Sequence, residues 1–194
     1  MIPLVDEDRA SEMLPLWRRC IVEHHLDANV TSAPNILTER ELAGRREAFN
    51  TIVVLAQEEI DRLYAIVRQL GYVVLLCNTE GIAVNHRGNQ TMADQFKYWG
   101  VWLGGVWSEH IEGTNGIGTC IVEQRPISVH RDQHFRSRHA GLSCAGAPVF
   151  DAAARLVAVL DCSSIAPEVS DHAHGLTLAA TITAAREIEE RLFS

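Results

Sequence analysis

A helical pattern that runs directly into strand-like sequence constrains the fold of this chain more than any other feature. The pattern follows a capping box formed by Thr38 and Glu41, and it stops at Gly71, a residue type that often ends helices. Its apolar residues recur in alternating steps of three and four, which predicts one face packed on a sheet or against a second copy of the helix. These residues are Phe49, Ile52, Ala56, Ile60, Leu63, Val67 and Leu70. We therefore predict one long connecting helix over residues 38–71.

Strand-like sequence begins at Tyr72, immediately after this helix. The run YVVLLCNTEGIAVNHRG predicts two strands joined by a turn, and RPISVH, CAGAPVFD and RLVAVLDCSS each predict a further strand. Helices are expected over TMADQFKYWG and from about Ser170 onwards, where apolar residues share one helical face. A short helix is also expected over residues 8–26, broken or delayed by Pro15. This order of elements predicts an α+β fold with an antiparallel sheet.

Charge and cysteine usage argue against several classes of protein. The 194 residues carry a formal net charge of -8, whereas a DNA-binding domain on its own is usually basic. The five cysteines form no CxxC pair, and their odd number fits reduced thiols in a cytoplasmic protein better than a set of disulfides. The N-terminus lacks the features of a signal peptide, and every apolar run is too short to span a membrane. We expect no direct nucleic-acid binding, no membrane association and a cytoplasmic location.

The stretch EGTNGIGTCIVEQ contains three glycines, Gly113, Gly116 and Gly118, and invites comparison with phosphate-binding loops. No lysine follows the glycines as in a P-loop, and their spacing does not match the dinucleotide-binding fingerprint. The residues instead predict a tight turn into a helix over residues 117–123, with Thr114 or Asn115 as its N-cap. The free amides at the start of that helix could also face an oxygen atom of a small ligand.

Histidine and cysteine side chains of metal-ligand type fall within one short window. They are His130, His134, His139 and Cys144, and their spacing matches no established metal motif. The nearby run GLSCAG, at residues 141–146, lacks the second glycine of a hydrolase nucleophile elbow. We therefore expect neither a bound metal nor a hydrolase nucleophile here.

Other aromatic and histidine residues have two possible roles. Trp99, Trp102 and Trp107 precede the glycine stretch and fit either a core or the wall of an apolar pocket. His172 and His174 are expected to be exposed near the start of the last helix.

Two stretches together resemble the sensory GAF domain of the acetoin-catabolism-regulator family, bacterial enhancer-binding activators that work with sigma-54 RNA polymerase. The stretches are WSEHIEGTNGIGTCIVEQRPISVHRDQHF and LSCAGAPVFD…RLVAVLDCSS. WRRC, at residues 17–20, and TERELAGRRE, at residues 38–47, resemble the leading segment of the family, so the resemblance covers nearly the whole chain. The chain departs from the pattern at Ser143, Gly146 and Ala154, where threonine, alanine and glycine are usual.

This resemblance implies a ligand-sensing domain rather than an enzyme, with no cofactor. It implies a GAF core with an output helix over residues 72–194, after the connecting helix 38–71 and a helical segment over residues 1–37. The long helices would cover one face of the sheet, and the other face would hold a small pocket beside the glycine stretch. AAA+ and DNA-binding modules are expected in a longer chain, and the long helices are expected to form a homodimer.

The expected effector is a small ketone, diol or alcohol, because an apolar pocket with few polar groups suits a neutral oxygenated molecule. Trp107 and Phe135 are the candidates for the pocket walls, and Asn115 is equally a candidate for the helix cap. The full set of candidate ligand-binding residues is Trp107, Asn115, Thr119, His134, Phe135, Ser143 and Cys144.

Three alternatives remain open from the sequence. His130, His134 and Cys144 could hold an ion in a metal-sensing or gas-sensing domain. Cys120, Cys144 or Cys162 could serve a GAF-type reductase of free methionine sulfoxide, although that family's cysteine pattern is not matched. The chain could also be a purely structural dimerisation module without a pocket.

Overall fold

The computed structural model describes residues 7–194, which form a five-stranded antiparallel sheet with helices on both faces. The strands are β1 (Tyr72–Cys77), β2 (Ala83–Arg87), β3 (Ile127–His130), β4 (Ser143–Phe150) and β5 (Leu156–Ser164). The helices are α1 (Glu7–Val22), α2 (Glu39–Ala48), α3 (Asn50–Val67), α4 (Ala93–Trp99), α5 (Glu109–Glu112), α6 (Gly118–Glu123) and α7 (Asp171–Phe193). The predicted α+β class is confirmed, and the first six residues of the predicted N-terminal segment lie outside the described residues.

The strands follow the order β2-β1-β5-β4-β3, and each neighbouring pair is antiparallel. In the centre of the sheet, Leu75 of β1 lies opposite Asp161 of β5, which in turn lies opposite Gly146 of β4. Because directly opposed residues point to the same face of a sheet, these three residues share a face. Their immediate chain neighbours point to the other face.

The first face of the sheet is covered by α3 and α7. Four apolar residues of the helical pattern are buried there with Val74 and Leu160 of the sheet, whereas Leu70, in the last turn, is exposed. The four are Ala56, Ile60, Leu63 and Val67. The pattern therefore packs on the sheet of the same chain, which is one of its two predicted roles, rather than against a second copy of the helix. We call this side the helix face.

The second face is covered by the chain between β2 and β4, which contains α4, α5 and α6. Leu75 and Val159 of the sheet pack there against Trp102, Trp107 and Ile117. We call this side the pocket face, because it lies beneath the glycine stretch where the sequence predicts an effector pocket. The expected arrangement, with long helices on one face and the glycine stretch on the other, is confirmed.

The predicted single helix over residues 38–71 is interrupted at Phe49 and ends in a 3₁₀ turn, Arg68–Leu70. The capping box of Thr38 and the left-handed conformation of Gly71 are both present as predicted. The interruption has a packing cause. Leu42 of α2 is buried with Ile82 and Val84 beside β2, whereas α3 lies on the sheet itself. One straight helix could not follow both surfaces.

Helix α1 runs through Pro15 and ends at Val22, so the predicted break at the proline and the predicted end near residue 26 are both wrong. A proline removes one helical hydrogen bond, and packing can compensate for that loss. Leu16, the next residue, and Cys20, one turn further on, are both buried.

The turn between β4 and β5 retains a left-handed residue although glycine is absent from it. Ala154 has φ of 57°, a region in which glycine is favoured, and its amide donates to the carbonyl of Asp151. Asp151 also accepts hydrogen bonds from the amides of Ala153 and Arg155. These bonds hold the turn in the conformation that a glycine would adopt more easily.

Within residues 7–194, no helix combines the length and the apolar character needed to cross a bilayer.

Candidate functional site

The glycine stretch lies so close to the pocket face of the sheet that neither Gly116 nor Gly146 could carry a side chain without overlap. A Cβ atom on Gly116 would lie 2.7 Å from Cβ of Cys144 and 2.8 Å from Oδ1 of Asp161. A Cβ atom on Gly146 would overlap the carbonyl oxygen of Gly116. The glycine at position 146, where the family usually has alanine, therefore permits this close approach.

Asn115 organises the turn that precedes α6. Its Nδ2 donates to the carbonyl oxygens of Trp107 (3.0 Å) and Gly113 (2.8 Å). Its Oδ1 accepts from the amides of Ile117 (2.9 Å) and Gly118 (2.8 Å). These bonds use both donors and both acceptor positions of the amide, so Asn115 has no group left for a ligand and instead holds the turn. Helix α6 begins at Gly118 with Ile117 as its N-cap residue, so the predicted N-cap at Thr114 or Asn115 is wrong.

Four of the other candidate residues lie around this turn. Oγ1 of Thr119 accepts from the amide of Asn115 at 3.1 Å, and Nε1 of Trp107 donates to the carbonyl of Gly100 at 2.8 Å. The ring of Phe135 lies against Gly113, where any Cβ atom would overlap it. His134 lies next in the chain, and all four candidate side chains are buried.

Ser143 is the one candidate that the structure separates from the others. It lies opposite Ser164 and His130, on the helix face, and its Oγ lies 2.8 Å from Nδ1 of His130. Cys144, the next residue in β4, points to the pocket face. The two side chains cannot line the same pocket, because successive residues of a strand point to opposite faces.

His174 is buried rather than exposed, so the expectation for this residue is wrong, whereas His172 is exposed as expected. Nδ1 of His174 lies 2.7 Å from the hydroxyl of Tyr72, and Nε2 of His174 lies 3.2 Å from the carbonyl oxygen of Cys144. Its ring also stacks on His130. These contacts link the start of α7 to the strand that carries Cys144. Sequence reasoning missed this link because position alone placed His174 near a helix end.

A chain of polar side chains runs beneath the glycine stretch. Nδ1 of His134 donates to the carbonyl of Arg131 at 2.9 Å, which leaves Nε2 as the acceptor for the thiol of Cys144 at 3.3 Å. Oγ of Ser163 lies 3.1 Å from Sγ of Cys144 and 2.6 Å from Oδ2 of Asp161. Ser163 and Asp161 were not among the predicted site residues. The alternation of β5 is the signal that could have placed them on this face.

Burial changes the acid–base behaviour of this chain of residues. Burial raises the pKa of Asp161 to about 7, against a partial lowering by the hydrogen bond from Ser163. Burial lowers the pKa of His134 to about 4, so its ring is neutral at neutral pH. Burial also raises the pKa of the Cys144 thiol well above its usual value. The site therefore presents neutral hydrogen-bonding groups and a carboxyl group that titrates near neutrality.

Helix α1 covers the outer side of the glycine stretch, which sequence reasoning did not predict. Trp17 meets Phe135 edge-to-face at 5.6 Å between ring centroids, and its Nε1 donates to the carbonyl of Gln133. Sγ of Cys20 lies 3.4 Å from Oγ1 of Thr114. The WRRC run of the sequence therefore packs against the glycine stretch.

Two of the alternatives left open by the sequence, a metal-binding sensor and a methionine sulfoxide reductase, can be compared with this geometry. Over residues 7–194, no three His, Cys, Asp or Glu side chains converge in a way that could hold a metal ion. Cys120, Cys144 and Cys162 are buried, and burial raises the pKa of each thiol. A reductase needs an accessible thiolate, and these environments favour the neutral thiol.

The comparisons with known proteins agree with this geometry. The GAF domain family model matches residues 45–188, which is most of the chain. The chain belongs to the GAF domain family. This GAF domain is 32% identical over 177 residues to the acetoin catabolism regulatory protein of Cupriavidus necator, and it is 24% identical over 187 residues to the acetoin dehydrogenase operon transcriptional activator AcoR of Bacillus subtilis.

These alignments cover 91% and 96% of the chain but only 26% and 30% of the two regulators. Among solved structures, the Escherichia coli DhaR(N)–DhaL complex contains a chain that superposes with a TM-score of 0.79 at 17% identity, over 93% of this chain and 60% of that one. At that identity the likeness shows the fold alone. The relatives that match along the whole GAF domain are transcriptional regulators.

Proposed function

We propose that this GAF domain is the sensory unit of a sigma-54-dependent transcriptional activator, and that it binds a small ketone, diol or alcohol. The observation that supports this function most strongly is the alignment with an acetoin catabolism regulator over 91% of the chain. The regulator is several times longer, so the AAA+ and DNA-binding activities belong to modules outside the aligned region. The domain itself acts without catalysis.

The proposed effector site lies between the pocket face of the sheet and the glycine stretch. Trp107 and Phe135 supply apolar walls, and Thr119 and Cys144 supply the hydrogen-bonding groups. His134, whose two ring nitrogens contact Arg131 and Cys144, positions the Cys144 thiol. Cys144 and His134 are neutral at neutral pH, which suits a neutral ligand better than an anion. Asn115 holds the turn in place, and Ser143 lies outside the site on the helix face.

Effector binding would reach the output helix through the sheet. Cys144 is part of the site, and its carbonyl oxygen contacts His174 of α7. A change in the position of β4 would therefore be transmitted to the start of α7. Binding would favour one arrangement of α7 over another, to the extent that the effector prefers one of them.

The experiment that tests this function is a thermal-shift screen of small ketones, diols, alcohols and acids, since a ligand that binds only the folded state raises its stability. A hit is then titrated against Trp107→Ala, His134→Ala and Ser143→Ala. We expect weaker binding in the first two variants and parental binding in Ser143→Ala, which serves as the control from the opposite face. Equal binding by all three variants would place the effector elsewhere.

A further inference from the structure

Residues 130–135 connect the glycine stretch to the start of α7. At one end of this segment, the amide of Phe135 donates to the carbonyl oxygen of Thr114 at 3.2 Å. At the other end, Nε2 of His130 lies 3.1 Å from Oδ1 of Asp171, the first residue of α7. We call residues 130–135 the bridging segment. It joins the same two parts of the domain as β4 does, but along a separate route.

Arg131 contacts both ends of this route. Its carbonyl oxygen accepts from the backbone amide of His134 at 3.1 Å and from Nδ1 of the same residue at 2.9 Å. Its Nη2 donates to the carbonyl oxygens of Pro167 at 2.5 Å and of Val169 at 3.0 Å, in the loop that leads into α7. The backbone of Arg131 therefore holds a buried histidine of the candidate site, and its side chain holds the entrance of α7.

The backbone conformation of Arg131 is unfavourable for an arginine. Its φ is 53°, in the left-handed region where glycine is favoured, and its amide donates to the carbonyl of Leu142 at 2.7 Å. A residue stays in such a conformation only where the surrounding contacts fix it, and positions of this kind cluster at functional sites. Glycine would adopt the turn more easily but could not reach Pro167 or Val169. The contacts of the guanidinium group are thus a reason for an arginine here.

We propose that Arg131 is a positioning residue that couples His134 to the first turn of α7. The bonds to His134 fix the backbone at position 131, and the guanidinium group then holds the loop before Ser170, the N-cap residue of α7. A change at His134 shifts this backbone and weakens the bonds to Pro167 and Val169 together. The inference goes beyond the proposed function, because the coupling belongs to the domain without any ligand.

The test is a double-mutant cycle measured by hydrogen exchange. The amides of Ala173 and His174 donate to Oγ and to the carbonyl oxygen of Ser170, so their exchange rates report the first turn of α7. His134→Leu has no donor for Arg131, whereas His134→Asn has a similar shape and an amide nitrogen that can take the place of Nδ1. We expect both amides to exchange about 2- to 10-fold faster in His134→Leu than in His134→Asn, as loss of one hydrogen bond predicts.

The second arm of the cycle removes the guanidinium group. In Arg131→Ala, which keeps a non-glycine residue in the turn, the two amides of α7 should already exchange faster. The difference between His134→Leu and His134→Asn should then fall below about 2-fold, the range in which independent effects add. Arg155→Ala, on an exposed arginine in the turn between β4 and β5, is the control and should leave the difference unchanged. The amide of Leu63 in α3 serves as the reference for general loss of stability.

A reciprocal measurement requires no change of the buried ring. Because coupling acts in both directions, Arg131→Ala should also accelerate exchange of the His134 Nδ1 proton, observed by NMR, and Arg131→Lys should do so less. An unchanged Nδ1 proton would overturn the proposal. The same holds if the difference between His134→Leu and His134→Asn persists in Arg131→Ala, which would assign the connection to β4 through the carbonyl oxygen of Cys144. Equal acceleration in α7 and α3 would reduce Arg131 to a general stabilising role and also overturn it.

Discussion

Arg19 of α1 donates two hydrogen bonds to the buried carboxylate of Glu109, from Nε to Oε1 at 2.6 Å and from Nη2 to Oε2 at 2.8 Å. The pair joins the N-terminal helix to the helix that leads into the glycine stretch. Because Glu109 is buried and Arg19 half-buried, loss of the arginine would leave a carboxylate poorly compensated.

We therefore expect Arg19→Gln to lower the free energy of unfolding by about 1–3 kcal/mol. Urea denaturation measures this change. Faster proteolysis of the connection between α1 and α2 would accompany it, since the helix would be held less firmly. Arg18→Gln, on the exposed neighbouring residue, is the control. If the two variants were equally stable, the ion pair would contribute nothing to holding α1 in place.

Because the pKa of Asp161 is raised, we expect the free energy of unfolding to fall as the pH rises. Its pKa is raised from 3.8 to about 7 by burial, so between these values the folded protein holds a proton that the unfolded chain has released. Its contribution is complete below pH 4 and declines as the pH rises through 7, by a total of about 4 kcal/mol at most.

Asp161→Asn cannot ionise, so its stability relative to the parent should increase between pH 4 and pH 8. Unfolding free energies across this range measure the effect. Asp151→Asn is a control of opposite sign, because hydrogen bonds from Arg155 lower the pKa of Asp151. That carboxylate contributes stability at high pH and loses it as the pH falls through its folded pKa. Parallel pH profiles for the parent and Asp161→Asn would contradict the raised pKa.

Because the pKa of His139 is lowered, we expect the free energy of unfolding to fall in acid. Burial, followed by the nearby His134 and arginines, lowers its pKa from 6.5 to about 2. Below pH 6.5 the unfolded chain takes up a proton that the folded protein does not, so stability falls as the pH falls. His139→Phe keeps a ring beside Trp107 and should gain about 2 kcal/mol relative to the parent between pH 8 and pH 5. His172→Phe, at an exposed position, should show no such gain.

Gly146→Ala should push the glycine stretch away from the sheet. The new Cβ atom would overlap the carbonyl of Gly116, so a backbone segment has to shift. Overpacking of this kind typically costs about 1–3 kcal/mol. Gly175→Ala is the matched control, because a Cβ atom there meets nothing and alanine favours the helix, so this variant should be slightly more stable than the parent. Thermal melting of both variants separates steric overlap from a general effect of the substitution.

Dimerisation remains a prediction, and the structure narrows the surface on which it would occur. With most of the predicted apolar pattern packed on the sheet, the large exposed apolar residues of α3 and α7 are Val54, Ile66, Leu176 and Phe193. Ile66→Glu should convert a homodimer into a monomer, as measured by light scattering at several concentrations. Val122→Glu, on α6, is the exposed control and should leave the dimer intact. A monomeric parent at high concentration would refute the dimer.

Local features of the fold could be predicted because each depends on residues close together in the chain. The capping box of Thr38, the left-handed Gly71 and the strand patterns are of this kind, and all are present. The interruption at Phe49 could not be predicted in the same way. It depends on α2 and α3 packing against different surfaces, which are distant in sequence from both helices.

The candidate site was predicted only in part, for the same reason. The motifs predicted that Trp107, His134 and Cys144 lie in one region. They also predicted Ser143 there, although the alternation of β4 places Ser143 on the opposite face of the sheet from Cys144. The alternation along β4 was available in the residues themselves and would have corrected this.

Other relationships arise only when distant segments meet. Arg19 and Glu109 are separated by 90 positions, and His174 is buried because α7 returns to the strand that carries Cys144. The sequence contains the apolar periodicities and turn residues that specify the elements, since those act over a few positions. Oδ1 of Asp161 is buried and makes no hydrogen bond to any residue between 7 and 194. Its surroundings depend on which strands pair and which backbone lies above them, and that arrangement exists only once the sheet has formed under the glycine stretch.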